Sequence, residues 1–323
     1  MGNIINTNKL QCAFNIIMAG LIMDSESFYD INEKITNAAF EKNGQCFLLI
    51  DASLEQYQSE LFLPDILREY KSYPVIFHQR ELQSAVPLYL FPLSTFSERD
   101  GQLFKNSIYH SLNELKTEKL DSGEGRSVCA WISTDLTGEQ LAEQVALSTV
   151  QSIQSVGDIL LRYYDPSVFG LLMPILDKWQ KQQLLSNVNT WSYIDGDGIA
   201  QIVNGDGECK KKLNHSLGLT EQNALEIERI LVINNVLRIY RKMNAPHKLS
   251  EREVMKLLRS ALNYYYATFS ASNNDVIEFG LDVLNAQRLF YQDGVFEKFV
   301  FSNRSKDLQL YSDIKSRIDS MAC

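Results

Sequence analysis

Over the first two thirds of this chain short apolar strand-like runs alternate with helical patterns, and beyond that the pattern is helical alone. Phe28 to Lys42 reads as a helix, with Gly44 placed to end it. Cys46–Ile50 (CFLLI) reads as a buried strand closing on Asp51. Residues Leu54–Tyr70 read as a helix broken at Pro64. Val75–His78 and Leu88–Phe91 read as short strands, and the flanking Pro74, Pro87 and Pro92 place them at strand starts or edges. Glu98 to Leu120 has helical character and runs into a loop ending at Gly125. Val128–Ile132 (VCAWI) is another strand.

Thr137 and Gln140 then have capping-box spacing, and Leu136 and Leu141 have the spacing of a hydrophobic staple. The predicted helix runs to about Ile153 and feeds a strand over Asp158–Tyr164. Asp177 and Gln180 repeat the capping box. Two β runs between Trp191 and Val203 flank the turn residues Asp195–Gly198, which predicts a hairpin. The succession of strands and helices predicts an α/β lobe with a mixed sheet over residues 1–215.

After His215 the pattern is helical only. Thr220–Met243 carries apolar residues on more than one face, including Leu225, Leu231 and Val236, which predicts a helix docked on two sides. Ser250 and Glu253 form a capping box with Leu249 and Val254 as its staple. The helix that follows has Val254, Leu258, Leu262, Tyr265 and Phe269 on one face. Asn273 or Asn274 caps a third helix, with Gly294 beyond its end, and a last helix covers Lys306–Ser320. Residues 216–323 are therefore expected to form an all-helical lobe, and the fold class is α+β.

Charge divides the chain at the same place. Residues 1–215 hold 17 Lys and Arg against 27 Asp and Glu, whereas residues 216–323 hold 14 against 13. An acidic body argues against nucleic acid as a partner, because phosphate binding needs a basic stripe. Lys210-Lys211-Lys212 reads as a solvated turn. Cys12, Cys46, Cys129, Cys209 and Cys323 are scattered and odd in number, with no C-x-x-C pair. That pattern fits a reducing cytoplasm rather than a disulfide framework or a zinc site. Phe14–Met23 (FNIIMAGLIM) is too short to span a bilayer and lacks the flanks of a signal peptide, so no membrane association is expected.

Candidate chemistry concentrates at one bend. Asp158 to Leu176 reads DILLRYYDPSVFGLLMPIL, and it packs Arg162, Tyr163, Tyr164, Asp165 and Pro166 into a strand-to-helix corner. Pro suits the first helical position, and an Asp before it can accept bonds from the first-turn amides. Arg162 can pair with Asp165 or with Asp51. The expected role is an architectural corner; the competing role is a polar site of Asp51, Arg162 and Asp165 in a hydrolase or transferase. His78, His110, His215 and His247 share no metal spacing and are expected at the surface or its boundary. Asp195-Gly196-Asp197-Gly198 lacks the later ligands of a calcium loop, and Gly123–Arg126 lacks the context of a phosphate loop. No metal or cofactor is expected. Trp191 and Tyr193 read as core aromatics of the hairpin, with Trp191 also a candidate partner contact. Tyr264, Tyr265 and Tyr266 cannot all face inward on one helix, so at least one is expected exposed at a binding surface.

These motifs together carry a resemblance. The succession CFLLIDAS (Cys46–Ser53), ELQSAVPLYLFPL (Glu81–Leu93), VCAWISTDLTGEQLAEQV (Val128–Val145), DILLRYYDPSVFGLLMPILDKWQ (Asp158–Gln180) and WSYIDGDG (Trp191–Gly198) resembles the domain of the type VI secretion adaptor proteins. The likeness covers roughly residues 28–203, with Ser167 standing where relatives usually carry Arg. It implies a non-enzymatic chaperone that binds a cognate effector in the bacterial cytoplasm and delivers it to the VgrG spike. It also implies that the second lobe chooses the effector.

Overall fold

The computed structural model describes residues 27–52, 67, 69–79, 82, 86–116, 126–207, 214–243, 248–302 and 310–322. The helix expected over Leu54–Tyr70, apart from Leu67, Glu69 and Tyr70, lies outside the described residues, as do Phe14–Met23, the Gly123–Gly125 loop, the lysine run, His247, Cys12, Cys209 and Cys323.

The first lobe is built on strands β1 (Gln45–Asp51), β2 (Tyr73–Val75), β3 (Leu88–Ser94), β4 (Val128–Thr134), β7 (Val188–Ile194) and β8 (Ala200–Asn204), in the order β2-β3-β1-β4-β7-β8. Every neighbouring pair is antiparallel, so the expected mixed sheet is corrected to an antiparallel one. The helix α2 (Glu98–Asn113) does connect two parallel strands, β3 and β4. They are not neighbours, because β1 lies between them and pairs with both. A helical connection therefore suggested a parallel pairing that the sheet order never makes.

Alternation along the strands sends side chains to two cores. Leu48, Ile50, Leu93 and Trp131 face α1 (Phe28–Ala39) and α2, meeting Ile31, Ile35, Phe104 and Ile108. Leu49, Leu90, Ile132 and Trp191 face the other way, toward α3 (Gly138–Thr149) and α4 (Pro166–Leu172). The capping boxes expected at Thr137 and Asp177 form, and the second opens α5 (Lys178–Leu184).

Two boundaries differ from expectation. The helix α3 stops at Thr149, and Val150–Ile153 becomes strand β5, pairing with β6 (Gly157–Leu160) in a separate two-stranded ribbon. The predicted strand over Asp158–Tyr164 thus ends at Leu160. Val150–Ile153 is a β-branched-flanked stretch that the ribbon can pair, and it cannot continue the helix without losing that pairing.

The second lobe comprises α6 (Glu221–Lys242), α7 (Glu251–Thr268), α8 (Asn273–Ala286), α9 (Gly294–Ser302) and α10 (Tyr311–Ala322). Ser250 caps α7 with a full capping box as expected. Ser272, rather than an asparagine, stands at the N-cap of α8, and Gln287 in the left-handed region ends it. Helix α6 docks on two sides as expected, against α4 of the first lobe and against α7 and α8 of the second, with Ile230, Ile233, Val236, Leu237 and Tyr240 buried, although Leu225 and Leu231 are exposed. One hydrophobic core runs without interruption from the sheet's Leu49, Ile132 and Trp191, through Phe169 and Leu172, to Val236, Leu258, Phe279 and Tyr311. The boundary near residue 215 is a change of secondary structure, and the core crosses it.

Candidate functional site

The corner assembles as the sequence suggested. Asp165 sits at the N-cap of α4, and its carboxylate accepts from the Ser167 amide at 2.9 Å and the Ser167 hydroxyl at 2.6 Å. Pro166 occupies the first turn, where no amide is needed. The Arg162 guanidinium donates to Asp51 at 3.0 Å and lies 3.9 Å from Asp165. Asp51 is buried at the end of β1, while Arg162 keeps its outer edge in solvent. Burial works against the arginine's charge, but Tyr164, Asp165 and Asp51 outweigh it and hold its pKa above the ordinary value.

The two tyrosines of the bend are fully buried. Tyr163 packs at 5.6 Å from the Trp191 ring, which stacks on Phe169 at 5.3 Å. Burial pushes both phenols well above their usual pKa. Cys129 lies beneath the corner, and burial together with the Asp51 and Asp165 carboxylates pushes its thiol up, so it stays protonated and acts as a small apolar side chain. The bend thus brings Asp51, Arg162 and Asp165 together, with the acids bonded to the backbone cap and to the arginine.

Trp191 is buried between Tyr163 and Phe169, which removes it as a partner contact. The tyrosine stripe is corrected too. Tyr265 is wholly buried and donates to Asp275 at 2.7 Å. Tyr264 is half-buried and stacks on Tyr291 at 4.4 Å, within an aromatic cluster that includes Phe269 and Phe279. Tyr266 is half-buried under Arg229, 5.1 Å from its ring centre. Helix α8 and the turn after it fill the space beside α7, so no member of the stripe is fully exposed.

Comparison with protein families, with curated proteins and with solved structures found no match. The geometry of the chain itself therefore carries the functional reading. Three features stand out in it.

The first is the hairpin turn between β7 and β8. Asp195 accepts from the Asp197 and Ile199 amides, both at 2.9 Å, and from Gln201, closing the turn at Gly198 with φ +80°. Asp197 and Glu251 both meet Arg241, at 3.3 and 2.7 Å, and the Gly196 amide donates to Glu251. A side chain at Gly196 would collide with both Arg241 and Glu251. This turn ties the sheet to the ends of α6 and α7. Burial, reinforced by Glu251, pushes the Asp195 carboxyl up to about 6.

The second is a buried polar cluster on the other side of the sheet. His110 lies 3.3 Å from Glu114, which also accepts from Ser127, while Arg126 donates to the Ile194 carbonyl and to Ser111. Burial would raise Glu114, but bonding to His110 and Ser127 outweighs it and holds the carboxyl below its usual range. The expectation of a boundary position for His110 is therefore corrected: it is buried with a carboxylate partner.

The third is a recess between the two lobes, whose lining residues the sequence did not single out. An apolar groove opens where the loop after α4 meets α6 and α7, lined by Leu171, Pro174 and Ile175 from the first lobe and by Ile230, Ile233, Met255 and Leu262 from the second. Glu226, Arg229 and Arg259 form its charged border. Its walls come from segments about 55 to 90 residues apart, and no local pattern announces such a meeting. Among the described residues, no group of three His, Cys, Asp or Glu could hold a metal ion, and no helix is long and apolar enough to cross a membrane.

Proposed function

We propose that this protein is a non-enzymatic adaptor that holds a segment of another polypeptide, in the manner of the type VI secretion chaperones that its motifs resemble. The observation that carries the reading is the apolar groove at the junction of the two lobes. It places partly exposed Ile175 and Met255 at a concave surface shared by the sheet-bearing lobe and the helical one. Grooves between helices are a recurring way to take the apolar face of a partner segment. In this reading the partner is a secreted effector bound in the bacterial cytoplasm, and the loaded complex then meets the VgrG spike. The corner at Asp51, Arg162 and Asp165 supports the groove from behind, because Asp165 caps the helix whose Leu171 lines it.

The test is co-expression of the full chain with type VI effectors and spike proteins from its source genome, followed by co-purification and mass measurement of the complex. A one-to-one or other fixed-stoichiometry complex with an effector is expected. The reading is lost if none of them binds the intact chain. The alternative, a hydrolase or transferase acting at Asp51, Arg162 and Asp165, instead requires turnover of a small substrate that disappears in Asp165→Asn while the fold persists.

A further inference from the structure

The sheet has two outer edges, and the chain treats them differently. At one, β2 carries Pro74 between Tyr73 and Val75 and packs against α3, where any side chain at Gly138 would collide with the Tyr73 ring. Lys71 lies over the same ring. Proline, charge and a covering helix are devices that keep an edge strand from pairing further. At the other edge β8 reads Ala-Gln-Ile-Val-Asn, with no proline, no charge and no bulge against β7.

The register fixes which backbone groups of β8 are already used. The Asp195 amide donates to the Ile199 carbonyl at 2.9 Å, and the Gly205 amide donates to the Asn189 carbonyl at 3.0 Å. Both fall on the β7–β8 register, so the hydrogen-bonded positions between them are Gln201 opposite Tyr193 and Val203 opposite Trp191. Ile202 and Asn204 therefore turn their N–H and C=O groups away from β7, and no described residue bonds those groups. Ile202 is half-buried on the face that holds Ala200, and Val203 is half-buried on the opposite face, so a further strand would meet an apolar neighbour on each side.

The edge is about 17 Å long. That is too short to supply the roughly 1,200–2,000 Å² of a stable pairing between two copies, and each copy carries a net charge of −9. An extended segment needs only the edge, because its main-chain bonds supply the attraction. The lobe that presents the edge holds 17 Lys and Arg against 27 Asp and Glu, which favours a basic segment. We propose that β8 takes an extended segment of another polypeptide as a further strand of the sheet, with β-branched residues at its centre and basic residues at its ends. The main chain of that segment bonds Ile202 and Asn204, and its side chains lie beside Ile202 and Val203. The inference does not depend on the recess between the lobes.

The experiment uses the full chain and three fluorescein-labelled peptides read by fluorescence anisotropy. They are Lys-Thr-Val-Thr-Val-Thr-Lys, the same sequence with its central amides N-methylated, and Glu-Thr-Val-Thr-Val-Thr-Glu. The first is expected to bind, and the other two to bind at least about tenfold more weakly. Ile202→Pro removes an outward N–H that β7 does not use, and Ile202→Lys sets a charge on the edge. Each should weaken the first peptide by about tenfold. Thermal melts confirm that the fold persists, and if Ile202→Pro alone unfolds, Ile202→Lys decides. Hydrogen exchange should show the Ile202 and Asn204 amides open in the free chain and slowed by the peptide, with Gln201 and Val203 slow in both. The proposal is overturned if the first peptide does not bind, if the N-methylated or acidic peptide binds as well as the first, or if a folded Ile202 variant keeps wild-type affinity. A free chain that sediments as a dimer, and as a monomer with Ile202→Lys, would assign the edge to a second copy and also overturn it. Failure of the peptides would leave the adaptor reading standing, and failure to find any bound effector would leave this edge untouched.

Discussion

Asp165 does two jobs with one carboxylate. It caps α4 through Ser167 and lies close enough to Arg162 to favour its charge. Replacement by alanine removes the cap, worth about 1 kcal/mol, and leaves Arg162 with Asp51 as its near carboxylate. Asparagine keeps a good capping oxygen but not the charge. Urea denaturation should therefore place Asp165→Ala about 1 kcal/mol below wild type, with Asp165→Asn in between. Equal losses in the two variants would mean that the cap contributes nothing. Gly196 is the residue-scale counterpart on the other side of the lobe junction. Any side chain there presses on Arg241 and Glu251, so Gly196→Ala should destabilise by loosening the turn from the helical lobe, and the melt should shift down. An unchanged melt would show that the turn gives way easily.

Single elements show what the sequence could and could not reveal. The capping boxes at Thr137, Asp177 and Ser250 all form, because each depends on side chains three residues apart in one short segment. The Asp165-Pro166 corner was legible for the same reason. The tyrosine stripe was misjudged because its burial depends on α8 and the turn at Phe290–Gln292, which approach from later in the chain. Helix α6 does dock on both lobes as its apolar faces suggested, but periodicity could not say that no described element covers Leu225 and Leu231. Helix α10 depends on a distant partner as well. Its first amides, at Tyr311 and Ser312, donate to Asp275 at the start of α8, both at 2.8 Å, and Tyr265 donates to the same carboxylate. Asp275→Ala should leave these donors unmatched at a cost of about 1–3 kcal/mol. Hydrogen exchange should then lose protection first in Tyr311–Ala322, and even protection along that helix would argue against the assignment.

At the scale of the whole molecule, the junction between the lobes carries a pH dependence with a defined sign. Asp195 titrates at about 6 when folded, above its ordinary value of 3.8. It faces Glu251 on α7, Asp197 in its own turn, Arg241 beyond them, Gln201 on β8, and Arg126 behind Tyr193. The folded state therefore binds a proton more tightly than the unfolded chain. Stability from this group is fully present below about pH 4, and it is lost as pH rises through about 6. Glu114 and Asp275, held below their ordinary values, work in the opposite direction, and their contribution fades only in stronger acid. Wild type should thus gain stability relative to Asp195→Asn as pH falls from 7 to 5, on the order of 1–3 kcal/mol. Chemical denaturation of both proteins across that range measures it, and parallel curves would contradict the shift.

The continuous core also sets the order in which the chain can mature. Phe169, Leu172 and Trp191 leave the ribosome well before Val236, Leu258 and Phe279, the residues that complete their shared core. At roughly 5–20 residues per second, the helical part takes on the order of 5–20 s to synthesise. Throughout that interval the sheet's second face stays open to chaperones and proteases. A messenger truncated near codon 215 should accordingly yield an aggregating or rapidly degraded fragment instead of a free-standing domain.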